Sequence, residues 1–415
     1  MNMCRSPVVT SWCRTAATWL SAVAIGLLVV SCGGDSADPR PGDVVSATPY
    51  AGPATIDADA RLVVYRMRGV SGAIVEASTL VFSPRGTVPA GGWPIVGWLH
   101  GTTTVGQASC APSLTPADLD GGLTADAAPL GVPPSGYAGL IAALVAAGYA
   151  VVAPDLEGLG AAAKVPYPYY SLASEARSLI AAIQAARRDN LTLSNRWAAV
   201  GHSDGGHGAL GVEPYLGEAP ELNYRGAVAF APFASVSDQV KLLDDFAAAD
   251  PANLAAYRAF QNLLVGMMTA GLTAQQPNFA IANVMGADLA AAMPSVRDQC
   301  IFPAFVAVST AVATKTPALF NGYRPDWDTD PSMSAFLRAN DPGAIAGFKV
   351  LKPTLVLQGT ADANVFESQV AALVADMTAA GSPSLTYKTY AGANHQTVVP
   401  SGTSDTIAFL DSVLR

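Results

Sequence analysis

The segment Gly201-His202-Ser203-Asp204-Gly205 constrains this chain more than any other. It follows a run of small and apolar residues, Arg196-Trp197-Ala198-Ala199-Val200, and precedes a helix-compatible stretch. Gly-x-Ser-x-Gly in that setting is the sequence form of a nucleophile elbow, a tight strand-to-helix turn that exposes a serine hydroxyl above a sheet. Glycines at 201 and 205 avoid collisions with the neighbouring strand and helix. The helix start aims free N–H groups at the place where negative charge develops on an attacked carbonyl. In a chain with 38 glycines the five-residue pattern alone arises by chance. Its position between an apolar run and a helix carries the reading.

The flanking sequence predicts the sheet that such an elbow needs. Leu62–Tyr65 and Ala77–Phe82 read as an opening antiparallel pair. Trp93–Leu99, Tyr149–Pro154, Gly226–Ala231 and Pro353–Gln358 are continuous apolar runs, as expected of strands covered on both faces. Leu385–Tyr390 reads as a last strand. Helical spacing recurs between them, at Gly136–Ala147, Ser171–Arg188, Ser368–Ala380 and Ser404–Leu414. Strand–helix alternation of this kind predicts a mainly parallel sheet flanked by helices. Between Ser235 and Lys349 the alternation stops and the pattern turns helical and alanine-rich. So long an insertion must fold as a unit of its own, and its place late in the sheet predicts a large helical cap over the site. Leu263-Leu264-Val265-Gly266-Met267-Met268 reads as packing core of that cap, with an acyl-binding surface as the alternative. The expected division is a core in two parts, 61–234 and 350–415, around a cap at 235–349.

The chain's 415 residues are 51% hydrophobic and 13% charged, enough for a sizeable core. A net charge of −9 without a basic stripe argues against nucleic acid as a partner. Arg5 and Arg14 precede the apolar stretch Ala16–Val30, so residues 1–31 are expected to be a secretory signal rather than part of the fold. The ending Val29-Val30-Ser31-Cys32 resembles a bacterial lipoprotein box, which implies acylation of Cys32 and a protein lipid-anchored at the cell envelope; an ordinary signal peptide and a secreted or periplasmic protein are the alternative. Residues 32–60 are expected to be a flexible tether. Two cysteines then remain, Cys110 and Cys300, and an even remainder in an oxidising compartment most economically forms a disulfide. Two buried thiols are the alternative. No Cys/His spacing suits a metal site.

A serine hydroxyl needs a base, and the base needs a third group to orient it. Four histidines are available. His202 flanks the serine and is expected to point away along the turn; His207, one helical turn on, is expected to be packed; His100, in a His-Gly pair, is expected to stabilise a loop. His395, just past the last strand, is left as the base. Asp362, on the turn leaving the preceding strand, is the expected acid, and Asp155 and Asp204 are weaker candidates. The order Ser203, Asp362, His395 is the one this architecture imposes. The oxyanion hole is expected to use the N–H of Asp204 and that of Thr102, with Thr103 as the fallback and the Thr102 hydroxyl as a further donor.

Taken together, these features resemble the α/β-hydrolase superfamily. More narrowly, Trp98-Leu99-His100-Gly101-Thr102, Cys110-Ala111-Pro112-Ser113, Asp155-Leu156-Glu157-Gly158-Leu159-Gly160 and Gly201-His202-Ser203-Asp204-Gly205-Gly206-His207 resemble the secretory lipase family. The resemblance implies an α/β-hydrolase fold with a large helical cap, hydrolysis of triacylglycerols and simpler esters, and no metal or organic cofactor. The expected activity is hydrolysis of small-molecule or lipid esters through an acyl-enzyme on Ser203. A serine peptidase of the same superfamily would need an anchor for a peptide terminus, and no such motif is present. A ligand-binding surface lipoprotein without catalysis would not need all three triad positions filled.

Overall fold

One mixed sheet of nine strands runs through the described residues, which are 38–114, 119, 132–315, 317 and 319–415 of a computed structural model. The expected signal segment and Cys32 lie outside them. The strands are β1 (Val44–Pro49), β2 (Ala58–Arg68), β3 (Ile74–Pro84), β4 (Trp93–Leu99), β5 (Ala150–Pro154), β6 (Leu193–His202), β7 (Asn223–Phe230), β8 (Thr354–Gly359) and β9 (Leu385–Tyr390). Their spatial order is β1-β2-β3-β5-β4-β6-β7-β8-β9. The pairs from β1 through β3 to β5 are antiparallel, and all pairs from β5 to β9 are parallel. The whole chain from Pro39 onward forms one compact unit.

The apolar runs become strands because helices cover them. These are α1 (Tyr137–Ala146), α2 (Leu172–Asp189), α3 (Asp204–Leu210), α9 (Glu367–Ala379) and α10 (Val398–Leu414). Helix α2 packs on β2, β4 and β5, while α10 packs on α1, β7 and β8. In β4, Ile95, Val96 and Leu99 are fully shut off from solvent, as are Ala198, Ala199 and Val200 in β6. Ser171 caps α2, its hydroxyl accepting the N–H of Ser174.

The N-terminal expectation needs correction. The stretch expected to be a tether as far as residue 60 contains β1 and the start of β2. Strand β1 is an edge strand with a single neighbour, and its residues are half-buried or exposed, none of them buried. Such a strand can be short, polar and bounded by Gly and Pro, the same signals that suggest a tether.

Between β7 and β8 lie the helices α4 (Val236–Ala249), α5 (Leu254–Gln275), α6 (Ala287–Arg297), α7 (Ile301–Lys315) and α8 (Pro331–Asn340). The long α5 packs against the other four. The two ends of this insertion are tied together by Asp341, whose carboxylate accepts the N–H groups of Ser235 at 2.7 Å and Val236 at 2.8 Å. Its middle is tied to the core by the Cys110–Cys300 disulfide, with Cα atoms 5.6 Å apart. Beside that bond, the Ile301 N–H donates to the Thr103 carbonyl at 2.8 Å and the Thr104 hydroxyl donates to the Gln299 carbonyl at 2.9 Å. Among the described residues, no helix is long and apolar enough to cross a membrane.

Candidate active site

Ser203 sits at the junction of β6 and α3 with φ 58° and ψ −119°. A non-glycine residue there costs on the order of 1–3 kcal/mol, and the surroundings must enforce it. They do so by close backbone approach. A Cβ at Gly201 would strike the Gly205 carbonyl, and one at Gly205 would strike the carbonyls of Leu99 and His100. The two glycines thus let β4, β6 and α3 converge on the serine.

The remaining two predicted side chains arrive from the carboxyl ends of β8 and β9. The Ser203 hydroxyl lies 3.0 Å from His395 Nε2, and His395 Nδ1 lies 2.8 Å from Asp362 Oδ2. Asp362 Oδ1 accepts the N–H groups of Asn364 at 2.8 Å and Val365 at 2.9 Å. Burial pushes the Asp362 carboxyl up, but His395 and these two N–H groups outweigh it and hold the group below its ordinary range. With Asp362 ionised, the His395 proton resides on Nδ1 and Nε2 is free to accept from the serine.

Asp204 opens α3, so its N–H belongs to the first turn, where donors have no acceptor within the helix. Thr102 lines the same cleft as Ser203, and a Cβ at neighbouring Gly101 would lie 3.3 Å from the serine's Cβ. The Thr102 hydroxyl pairs with the Tyr169 hydroxyl at 3.0 Å, and either oxygen can be the donor. The Thr103 side chain is buried, and its carbonyl is taken by Ile301.

The other histidines do not approach the serine oxygen as His395 does. His100 bonds the Gly101 carbonyl at 2.7 Å within its own loop. His202 commits both ring nitrogens elsewhere: it donates from Nε2 to the His395 carbonyl at 2.8 Å and accepts from the Tyr137 hydroxyl at 2.5 Å. Its ring centre is 4.5 Å from that of His395. Burial, then the nearby His395, pushes the His202 imidazole well below its ordinary value, so it remains a neutral support for the loop that carries His395. His207 is buried against Glu175, with Nδ1 3.1 Å from Oε1. Asp155 is buried far along the sheet on Ser78 and Ser113, each hydroxyl at 2.5 Å.

Sequence reasoning missed Glu175, Tyr167 and Tyr169, which gather behind the elbow. Glu175, Asp204 and His207 place potential ligand atoms within 4.8 Å of one another. Both His207 nitrogens are already committed, Nδ1 to Glu175 and Nε2 to the Asn340 carbonyl at 2.6 Å. With neither His207 nitrogen free to ligate, the set does not fit a metal centre. The local pattern Tyr167-Pro168-Tyr169-Tyr170 was the available signal that aromatic rings collect here.

Above the triad opens a cleft of about 680 Å³. Ser203, His395, Thr102 and Gln396 form its polar floor. The insertion supplies apolar walls: Phe246 from α4, Phe260, Leu264 and Met267 from α5, Phe302 and Phe305 from α7. Within the run 263–268, Leu263, Leu264 and Met267 face this cleft while Val265 and Met268 pack inside the helical unit. The run thus packs inside the helical unit on one side and lines the cleft on the other.

A family model described as secretory lipase matches residues 137–414. No curated protein matches. Among solved structures, the rice cell wall degrading esterase LipA from Xanthomonas oryzae superposes with a TM-score of 0.63 at 20% identity, covering 91% of this chain and 99% of that one. Candida antarctica lipase A in its closed state gives 0.64 at 18% identity, covering 91% of this chain and 84% of that one. At such identities the likeness speaks for the fold, an α/β-hydrolase architecture.

Proposed function

The chain belongs to the secretory lipase family, and from that premise we propose that it hydrolyses carboxylic esters through an acyl-enzyme on Ser203. What supports this most is the unbroken relay from the Ser203 hydroxyl through His395 to Asp362. In this mechanism His395 takes the serine proton as Oγ attacks the ester carbonyl and returns it to the departing alcohol. Asp362 holds the imidazole in the tautomer that can accept from the serine and stabilises it when it becomes cationic. The N–H groups of Asp204 and Thr102 receive the oxyanion. A water then repeats the sequence to release the acid.

The apolar walls from α4, α5 and α7 suit an acyl chain, and the absence of charged side chains among them favours neutral, hydrophobic esters. We assign residues 235–349 to a cap that shapes this pocket. Residues 1–31 are read as an export signal and Cys32 as the acylated residue. Ser203→Ala should lower turnover of p-nitrophenyl esters by a factor on the order of 10⁴ or more, with the thermal transition retained. Labelling of the unsubstituted protein by a fluorophosphonate should be lost in the variant. Undiminished turnover in a folded Ser203→Ala protein would refute the assignment.

A further inference from the structure

Buried carboxylates of the core are supplied with donors very unequally. Asp341 accepts three backbone N–H groups, from Ser235, Val236 and Gly343. Asp155 accepts the Ser113 N–H and the hydroxyls of Ser78 and Ser113. Asp362 has two N–H groups and His395. Asp204, equally buried, has the Tyr167 hydroxyl at 3.2 Å on Oδ2. Its Oδ1 has no hydrogen-bond partner among the described residues. The nearest cation does not serve it, because His207 turns Nδ1 to both Glu175 oxygens, at 3.1 and 3.2 Å, and Nε2 to Asn340. A buried anion so poorly supplied is disfavoured, whereas a neutral acid tolerates the same surroundings.

We propose that Asp204 works as a neutral carboxylic acid, and that Glu175 and His207 are positioning residues that keep it so by satisfying each other's charge. The catalytic part of this rests on the reading of the Asp204 N–H as an oxyanion donor. The Glu175–His207 pair is neutral overall, so a protonated Asp204 leaves no net charge behind the elbow. An ionised Asp204 would place a buried negative charge on the same residue whose N–H must receive the negative oxygen. In a water-poor site that repulsion acts directly against the transition state.

The electrostatics of every neighbouring element agree. Burial, and then Glu175, pushes Asp204 well above the usual carboxylate range. Burial lowers the His207 imidazole, but the Glu175 carboxylate beside it outweighs that and holds it up to about 9. Tyr167, Tyr169 and Tyr170 face the cluster from the loop after β5, and burial first of all raises each of them well above its ordinary value, so they stay neutral. Tyr170 stacks on the His207 ring with centres 4.1 Å apart. Asp341, beyond α8, is the further carboxylate that interacts with His207.

Two measurements on the full chain decide it. Infrared difference spectra between the unsubstituted protein and Asp204→Asn at neutral pH should contain a carboxylic-acid C=O band that shifts in D₂O. Loss of carboxylate bands instead overturns the proposal, whatever the enzyme's activity, so this arm is independent of the acyl-enzyme reading. Glu175→Gln should leave Asp204 as the counter-ion of His207 and lower kcat about tenfold with little change in KM. Adding Asp204→Asn to Glu175→Gln should recover most of that loss, an outcome that a purely structural Glu175 would not produce. A folded double variant as slow as Glu175→Gln overturns the proposal; if Glu175→Gln does not fold, the infrared comparison alone decides.

Discussion

At Asp362 and His207 the fold binds protons in opposite senses. Asp362 is held below its ordinary range, so its stabilising contribution is present above the unfolded carboxylate value and is lost as pH falls through the folded one. His207 is held up to about 9. Its contribution is full below the ordinary imidazole value and disappears as pH rises through about 9. The unsubstituted protein should therefore lose thermal stability between pH 7 and pH 10. His207→Gln should start lower at pH 7, by on the order of 5 °C, and show a flatter decline. Scanning calorimetry of both proteins across that interval tests the difference; equal slopes would assign the alkaline loss to other groups.

Among the elements, the meeting of β4, β6 and α3 depends on residues that have no side chain. Gly205→Ala would drive a methyl group into the carbonyls of Leu99 and His100, backbone atoms that cannot swing aside. Destabilisation by about 3 kcal/mol or more is expected, read as loss of soluble folded protein or a large fall in Tm. Gly139, in the middle of α1 with open space around its Cβ direction, is the contrasting case. Gly139→Ala should stabilise by about 0.5–1 kcal/mol. These two glycines also indicate what was legible beforehand. The elbow could be read because a local motif forces a local geometry, and β4 to β8 could be read because burial on both faces leaves continuous apolar runs. Asp362 and His395 followed from chain order along those strands. Strand β1 was hidden, since an edge strand need not be apolar. The Glu175–His207 pair was hidden for a different reason: it exists only because α2 crosses behind α3, and neither helix carries a local sign of the other. The support that His202 gives was hidden because its partner, the His395 carbonyl, comes from 193 positions away.

For the molecule as a whole, the insertion between β7 and β8 supplies the apolar walls of the cleft above Ser203. Met267 is almost fully buried yet faces the cleft, which places it at the inner wall rather than the mouth. Met267→Trp should fill that end and lower kcat/KM for octanoate esters at least about tenfold relative to acetate esters. A chain-length series of p-nitrophenyl esters measures the shift, and a parallel loss for all lengths would remove Met267 from the acyl wall. The Cys110–Cys300 bond, spanning 190 positions, has a topological effect beyond stapling a helix to a loop. It closes a covalent ring that contains Ser203 and leaves Asp362 and His395 outside. A protease that clips the ring once, wherever in it the cut falls, yields two fragments still bolted together, so no single scission within the ring lets the serine and its two partners drift apart.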